Sequence, residues 1–258
     1  MTGQERRHAI LSIVKIRNSV RVGELADRLT VSDVTIRKDL ATLEEMGLVE
    51  RTHGGVMLAE KSDDRTVLRA RRLQNEDAKC IIAASARELL NHGETVFIDS
   101  GSTCAHLAAL VREMELRVVT NSLDVMVALA DRPGIALHAT GGNYRQGGGS
   151  FIGPFAEEMI GRMNFDHAFL GTTGLSWDGR FSSQNTIESQ SKRAVIAVTR
   201  TVVVLCDRSK VGNDAFSVFA TAEDVDIVVS DIDDAGRNRL EDAGIHVIQA
   251  KKENTNDL

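Results

Sequence analysis

Cysteine is scarce: Cys80, Cys104 and Cys206 are the only three in 258 residues. None sits at the short spacing of a zinc-ligand pair, and an odd count leaves no complete disulfide framework. A structural metal and a cross-linked secreted scaffold are therefore both unsupported, and a reducing compartment fits. Long apolar runs are missing too. No stretch approaches the roughly 18 to 20 residues needed to cross a membrane, and Glu5, Arg6 and Arg7 stand where a leader would begin its apolar segment. The reading is a soluble, cytoplasmic chain with no membrane partner, no metal and no cofactor. With 42% hydrophobic residues, the length suits two domains, a small one and a medium one, each with its own core.

Positive charge is not in excess either, since the formal net charge is −6. Taken whole, that balance counts against nucleic-acid binding. Its distribution changes the conclusion. Residues 1–60 hold nine Lys/Arg and nine Asp/Glu, whereas the chain beyond residue 79 holds sixteen against twenty-four. A neutral N-terminal head can still bind phosphates when its basic side chains share one face, because such contacts are local and screened beyond about 8 to 10 Å.

Three helical periodicities follow one another in the first sixty residues. Gln4 to Ile16 sets Ile10, Leu11 and Val14 on one face, and Arg17-Asn18 ends the pattern. After the short β-like piece Val20-Arg21-Val22, Gly23 to Leu29 predicts a second helix burying Leu25, Ala26 and Leu29. Thr30-Val31 makes a tight turn, and Ser32 is placed to cap a third helix by accepting from the Thr35 amide. Ile36, Leu40 and Leu43 recur at i, i+4 and i+7 and face inward, which leaves Thr35, Arg37 and Lys38 outward near the helix start. Beyond Gly47, Leu48 to Met57 reads as a β-hairpin with Arg51 and His53 at its tip.

Two short helices across a tight turn, the second presenting polar residues at its start, suit the major groove: Arg donates bidentately to guanine, and Thr reaches base edges or phosphate. A solvated face on a protein-binding module would show the same periodicity. The residues themselves say more. Thr35-Ile36-Arg37-Lys38-Asp39-Leu40, preceded by Val31-Ser32 and followed by Arg51-Thr52-His53-Gly54-Gly55, closely resembles the DNA-binding signature of the DeoR family of bacterial regulators. The resemblance implies a winged helix-turn-helix over residues 1–58 that contacts a double-stranded DNA operator. Its contact residues would be Ser32, Asp33, Thr35, Arg37 and Lys38, with Arg51 and His53 on a wing gripping the flanking backbone or minor groove.

Residues 59–77 lack an apolar stripe, carry Arg69, Arg71 and Arg72, and read as a partly helical interdomain connector. From 78 to 258, helical stretches alternate with short apolar strands at Thr95–Ile98, Arg117–Val119, Ile135–Ala139, His167–Leu170, Thr201–Leu205 and Ile227–Val229. Such alternation predicts an α/β domain: a mostly parallel sheet with helices on both faces.

Open sheets of this class bind ligands beyond the carboxyl ends of their strands. Here those ends are polar and glycine-rich. The first is Asp99-Ser100-Gly101-Ser102-Thr103, opening a helix whose orphan amides and dipole favour an anion. The second is Thr120-Asn121-Ser122, the third Gly141-Gly142-Asn143-Tyr144-Arg145, the fourth Gly171-Thr172-Thr173-Gly174. Glycine after a strand is commonly only a turn, but converging polar ends point to a binding site. In this order the loops resemble the DeoR effector domain, which is similar in fold to ribose 5-phosphate isomerase and glucosamine-6-phosphate deaminase. The likeness continues through Glu188, Lys192 and Asp207-Arg208-Ser209-Lys210. It implies that Ser100, Gly101, Ser102 and Thr103 hold the phosphate of a phosphorylated sugar, while Asp99, Asn121, Lys192 and Lys210 face the sugar or complete the pocket. The strand ends add Ser122, Gly141, Gly142, Gly171 and Thr172.

The same likeness raises a rival, a sugar-phosphate isomerase with an accessory domain. Aldose-ketose isomerisation needs a positioned carboxylate to move a proton between adjacent carbons. The isomerases carry a strand-end Asp-Gly-Ala-Asp-Glu pattern for this, where the present sequence reads Leu170-Gly171-Thr172-Thr173-Gly174. The glycine stays and the acids are gone. Binding without turnover is the expectation: a transcription regulator, by default a repressor, with no catalytic residue. A homo-oligomer, dimer or tetramer, is expected to present paired heads to a repeated or palindromic operator.

Overall fold

The helical spacing of Ile10 and Val14 is realised in α1 (Gly3–Arg17) of the computed structural model, which describes residues 3–17, 19–45, 48–52, 54–58 and 74–251. The chain falls into two units, Met1–Gln74 and Asn75–Leu258. In the first, β1 (Ser19–Arg21) leads straight into α2 (Val22–Leu29), which closes on Thr30 in the left-handed conformation with φ 55°. That turn delivers α3 (Asp33–Glu45), and the Ser32 hydroxyl accepts from the Thr35 amide at 3.3 Å as a cap should. Ile36, Leu40 and Leu43 are at most 1% exposed and pack with Ile10, Val14 and Leu25 into one small core.

The hairpin follows as β2 (Val49–Thr52) and β3 (Gly55–Leu58), and β1 completes a three-stranded antiparallel sheet in the order β1-β3-β2. Gly54 turns the hairpin with φ +93°. At Gly55 a Cβ would lie 2.7 Å from the Val20 carbonyl oxygen, so the close approach of β1 to β3 requires glycine there. One member of the α3 inner face is not apolar. Asp39 is 4% exposed and accepts from Arg6 Nε at 2.5 Å and Arg7 Nη1 at 3.4 Å, which pins α1 to α3.

The second unit begins with α4 (Glu76–Arg87) and runs through β4 (Thr95–Ile98), α5 (Ser102–Leu110), β5 (Leu116–Thr120), α6 (Leu123–Leu129) and β6 (Ile135–Ala139). A hairpin of β7 (Asn143–Arg145) and β8 (Ser150–Ile152) comes next, then α7 (Pro154–Ile160) and β9 (Phe165–Gly171). After the short strands β10 (Gly174–Leu175) and β11 (Phe181–Ser183) stand α8 (Thr186–Ile196), β12 (Thr199–Leu205), β13 (Ser217–Ala220), β14 (Ile227–Ser230), α9 (Asp234–Asp242) and β15 (Val247–Gln249). Seven strands form one sheet in the order β15-β14-β12-β9-β4-β5-β6, every pairing parallel. The strands alternate between two cores. Val96, Ile98, Val118, Phe169 and Val203 pack with α4, α5 and α6 on one face. Phe97, Val119, Leu170, Val202 and Val204 pack with α7, α8 and α9 on the other.

Six strands were expected in that sheet and a seventh, β15, extends its edge. The antiparallel pieces β7-β8 and β10-β11-β13 lie beside it. At two to four residues each they are too short to show alternation. The strand order fixes where a ligand would go. The chain lays β5 and β6 to one side of β4, then crosses to place β9 on the other. That reversal opens a crevice at the carboxyl ends of β4 and β9.

Candidate functional site

The crevice is where Asp99 follows β4 and Gly171 ends β9. Asp99 is 1% exposed. Its Oδ1 accepts from the Asn121 side-chain amide at 3.2 Å, and its Oδ2 accepts from the Gly171 N–H at 3.1 Å and from the Lys192 ammonium. Lys192 reaches in from α8, itself 7% exposed, and lies 5.4 Å from the centroid of the Phe219 ring. Asn121 is held in turn by the Ser100 N–H, which donates to its Oδ1 at 3.0 Å. Four sequence-predicted residues from three strand ends and a helix thus form one network. A carboxylate engaged by three donors of its own chain is a strut between strands rather than a free base.

Beside it, Ser100, Gly101 and Ser102 are half-buried, and Thr103 is 9% exposed. Gly101 takes φ +140°, a conformation that favours glycine, and its carbonyl accepts from the Ala105 N–H at 3.0 Å. The loop therefore turns directly into the first turn of α5, whose leading amides have no intrahelical partner.

The other strand-end residues divide. The Ser122 hydroxyl accepts from the Val125 N–H at 3.3 Å, which caps α6. The Thr172 hydroxyl donates to the carbonyls of Gly174 at 2.7 Å and Ser182 at 3.1 Å. Both hydroxyls serve the chain's own backbone. Gly141 and Gly142 are exposed at the base of the β7-β8 hairpin, where a Cβ on Gly142 would sit 2.8 Å from the Ile152 carbonyl oxygen. Lys210 stands in the 3-10 turn Arg208–Lys210 after β12, among Asp207, Lys79 and Cys206 rather than in the Asp99 network.

Three further groups stand out: the sequence reading named Arg145 and Glu188 without assigning them a role, and it did not single out Ser150 or Lys79. Arg145 on β7 pairs with Glu188 on α8, one turn before Lys192. Ser150 is fully buried with its hydroxyl unbonded. Lys79 on α4 is 4% exposed; burial, opposed by Asp207 and reinforced by Lys210, brings its pKa down to about 8. No periodic signal marks a lysine on an amphipathic helix as buried. Among the described residues no cluster of His, Cys, Asp or Glu could hold a metal ion, and no helix is long and apolar enough to cross a membrane. Burial pushes the Cys104 thiol far up, so it is a packed side chain and not a nucleophile.

In the N-terminal unit, Asp33, Arg37 and Lys38 are exposed on α3 and Ser32 is exposed just before it, while Thr35 is half-buried with its hydroxyl 2.9 Å from that of Ser32. Val34, not anticipated, is 73% exposed in the same turn. Arg51 on β2 is tied to α3, its amide donating to Glu44 Oε1 at 3.1 Å and its Nε lying 3.5 Å from Glu44 Oε2. His53 lies outside the described residues, as does most of the expected connector 59–77.

A helix-turn-helix with a β-wing in one chain with a parallel α/β unit that gathers polar side chains at its switch point is the build of a transcriptional regulator. A profile described as the DeoR-like helix-turn-helix domain matches residues 6–62, and one described as the DeoR C terminal sensor domain matches residues 74–232. The chain belongs to the DeoR family. It is 33% identical to the HTH-type transcriptional regulator GlpR of Haloferax volcanii over 96% of this chain and 98% of that protein. To the glycerol-3-phosphate regulon repressor of Escherichia coli it is 33% identical over 90% and 92%, and to the transcriptional repressor AccR of Agrobacterium fabrum 31% over 88% and 89%. Ribose 5-phosphate isomerase A of Methanocaldococcus jannaschii matches 54% of this chain and 55% of its own at 19% identity, with a TM-score of 0.41. The relatives that match along nearly their whole length are named regulators and repressors, and this chain is a regulator rather than an enzyme.

Proposed function

We propose that the chain is a repressor whose operator affinity falls when a phosphorylated sugar binds at the carboxyl ends of β4, β5 and β9. One observation carries the reading: the Asp99–Asn121–Gly171–Lys192 network lies next to the Ser100-Gly101-Ser102-Thr103 loop that opens α5. With Asp99 and Lys192 paired and the Ser100 N–H given to Asn121, the amides at the start of α5 are the anion-attracting element. In the other unit, the exposed face of α3 enters the major groove, with Arg37 and Lys38 for guanine or phosphate and Val34 for a thymine methyl. The wing flanks it. A dimer or tetramer presents two such heads, and effector binding shifts their placement. A coupling of about 1–3 kcal/mol changes operator affinity 5- to 150-fold.

The test pairs two measurements on the full chain. Fluorescence anisotropy with duplexes from upstream of its own gene reports DNA affinity with and without a panel of sugar phosphates. Calorimetric titration of the same compounds compares the wild type with the Ser102→Ala/Thr103→Ala double variant. The expected result is a phosphate ester that weakens DNA binding and binds the double variant far less well, while its unphosphorylated sugar is little affected. Equal losses for ester and sugar, or DNA affinity indifferent to every compound bound, would refute the scheme.

A further inference from the structure

Ser150 is fully buried, yet its hydroxyl has no hydrogen-bond partner. A buried polar atom left in that state costs stability until something satisfies it. Its surroundings say what would. Ser150 opens β8 and bridges to Ser122, beside the Asn121 whose side chain holds Asp99. On the paired strand β7, Arg145 donates to Glu188 of α8. The point at which Gly148 would carry a Cβ lies 2.7 Å from Glu188 Oε1, 2.7 Å from Ser150 Oγ and 2.8 Å from Arg145 Nη1. A carboxylate, a guanidinium and an unpaired hydroxyl therefore converge under the tip Gly147-Gly148-Gly149, where the middle residue has no room for a side chain.

This deepens the sugar-phosphate reading and rests on it: the geometry points to Ser150, Arg145 and Glu188 as the subsite for the polyol end of the effector. The phosphate then lies at the Ser100–Thr103 loop. The chemistry suits a vicinal diol. Each sugar hydroxyl donates once and accepts twice; the carboxylate supplies acceptors, the guanidinium donors, and serine both. A phosphate does not suit it, since Glu188 repels an anion and already compensates the Arg145 charge. A ligand reaches Ser150 by displacing the three-glycine tip. The tip is tied to the start of α6 by Leu123 N–H to the Gly149 carbonyl at 3.0 Å, and β8 just after it is tied to the turn after β5 by Phe151 N–H to the Asn121 carbonyl at 2.7 Å. Filling the subsite therefore acts on Asn121, and through it on Asp99.

Calorimetric titration and thermal unfolding of the full chain test this with Ser150→Ala and Glu188→Gln. The diol-bearing probes are fructose 6-phosphate, ribose 5-phosphate and glycerol 3-phosphate; the probes without a diol are ethyl phosphate and inorganic phosphate. Ser150→Ala should weaken the diol-bearing probes that bind by about 3- to 10-fold, the loss of one neutral hydrogen bond. It should leave ethyl phosphate and inorganic phosphate unchanged and should not lower the unfolding temperature, because it removes an orphan and not a bond. Glu188→Gln should also weaken the diol-bearing probes while strengthening inorganic phosphate, since Arg145 is then uncompensated. Equal losses for both sets of probes, no loss at all, or a fall in unfolding temperature with all affinities falling together overturns the subsite. If the wild type binds ethyl phosphate as tightly as every diol-bearing probe, the subsite fails and the anion cradle stands. If it binds no phosphate compound, the sugar-phosphate reading fails and the subsite with it.

Discussion

Lys192→Met isolates the strut at the centre of the sensor unit. Methionine keeps the length of the lysine stem and its packing near the Phe219 ring but removes the cation from Asp99. With Asp99 at 1% and Lys192 at 7% exposure, solvent does little to screen the charge left behind. Removing one partner of a buried pair costs about 3–5 kcal/mol. Asp99 keeps the Asn121 amide at 3.2 Å and the Gly171 N–H at 3.1 Å, so the lower end, about 3 kcal/mol, applies. Trp177 is the sole tryptophan and lies in the sensor unit, so urea unfolding followed by its fluorescence reports that unit alone, as two-state bookkeeping requires. Adding Asp99→Asn removes the stranded charge while keeping an acceptor for the Gly171 N–H. The double variant should therefore be more stable than Lys192→Met alone by about 1 kcal/mol or more. A loss under about 1 kcal/mol for Lys192→Met, or a double variant no better than the single one, would mean that the ammonium is solvated and the strut is not what joins these strands.

Arg37→Ala should cost about 1–3 kcal/mol at the cognate operator and relax preference at one base pair, whereas Lys38→Ala should weaken all duplexes alike; anisotropy titrations on matched and single-mismatch duplexes separate the two. Leu40→Ala, in a side chain 1% exposed at the centre of the N-terminal core, should destabilise that unit by about 2–5 kcal/mol, read as lost operator binding while the Trp177 transition stays in place. Lys79 gives a pH dependence whose sign is opposite to that of a salt-bridged lysine. Its folded pKa of about 8 lies below the usual 10.5, so between those values the unfolded chain binds more protons and stability rises with pH. The Trp177 urea midpoint should climb between about pH 8 and 10.5 in the wild type relative to Lys79→Met, and parallel curves for the two proteins would discount burial of the ammonium.

Much of this was legible because it rests on short-range patterns. The i, i+4, i+7 spacing of Ile36, Leu40 and Leu43, and the Ser32 cap, position α3 without knowledge of anything else in the chain. β4 and β6 carry their expected limits, since runs such as Thr95–Ile98 end at residues that change character abruptly. The pairings that give those elements their meaning were not legible. Asp39 sits on an otherwise apolar face because Arg6 and Arg7, more than thirty residues away, neutralise it. Glu188 finds Arg145 across 43 positions, and Lys192 finds Asp99 across 93. No local periodicity encodes such partners. Thr172 shows the converse: it stands at a strand end as expected, yet its hydroxyl is spent on the Gly174 and Ser182 carbonyls.

The two units use charge in opposite ways, and this bears on how one can control the other. On α3 the basic side chains are exposed, so the hold on DNA proposed for them is one that salt screens, each phosphate contact releasing counterions. In the sensor unit Asp99 meets Lys192 and Glu188 meets Arg145, so two anions and two cations cancel inside the site before any ligand arrives. On the proposed scheme an anionic guest is then attracted by backbone amides and the dipole of α5. A phosphate ester entering a site whose own charges already cancel keeps its negative charge uncompensated there. The effector of the proposed scheme therefore has two routes to the operator, its added charge and the strands that Asn121 and Asp99 join, and only the first weakens with rising salt.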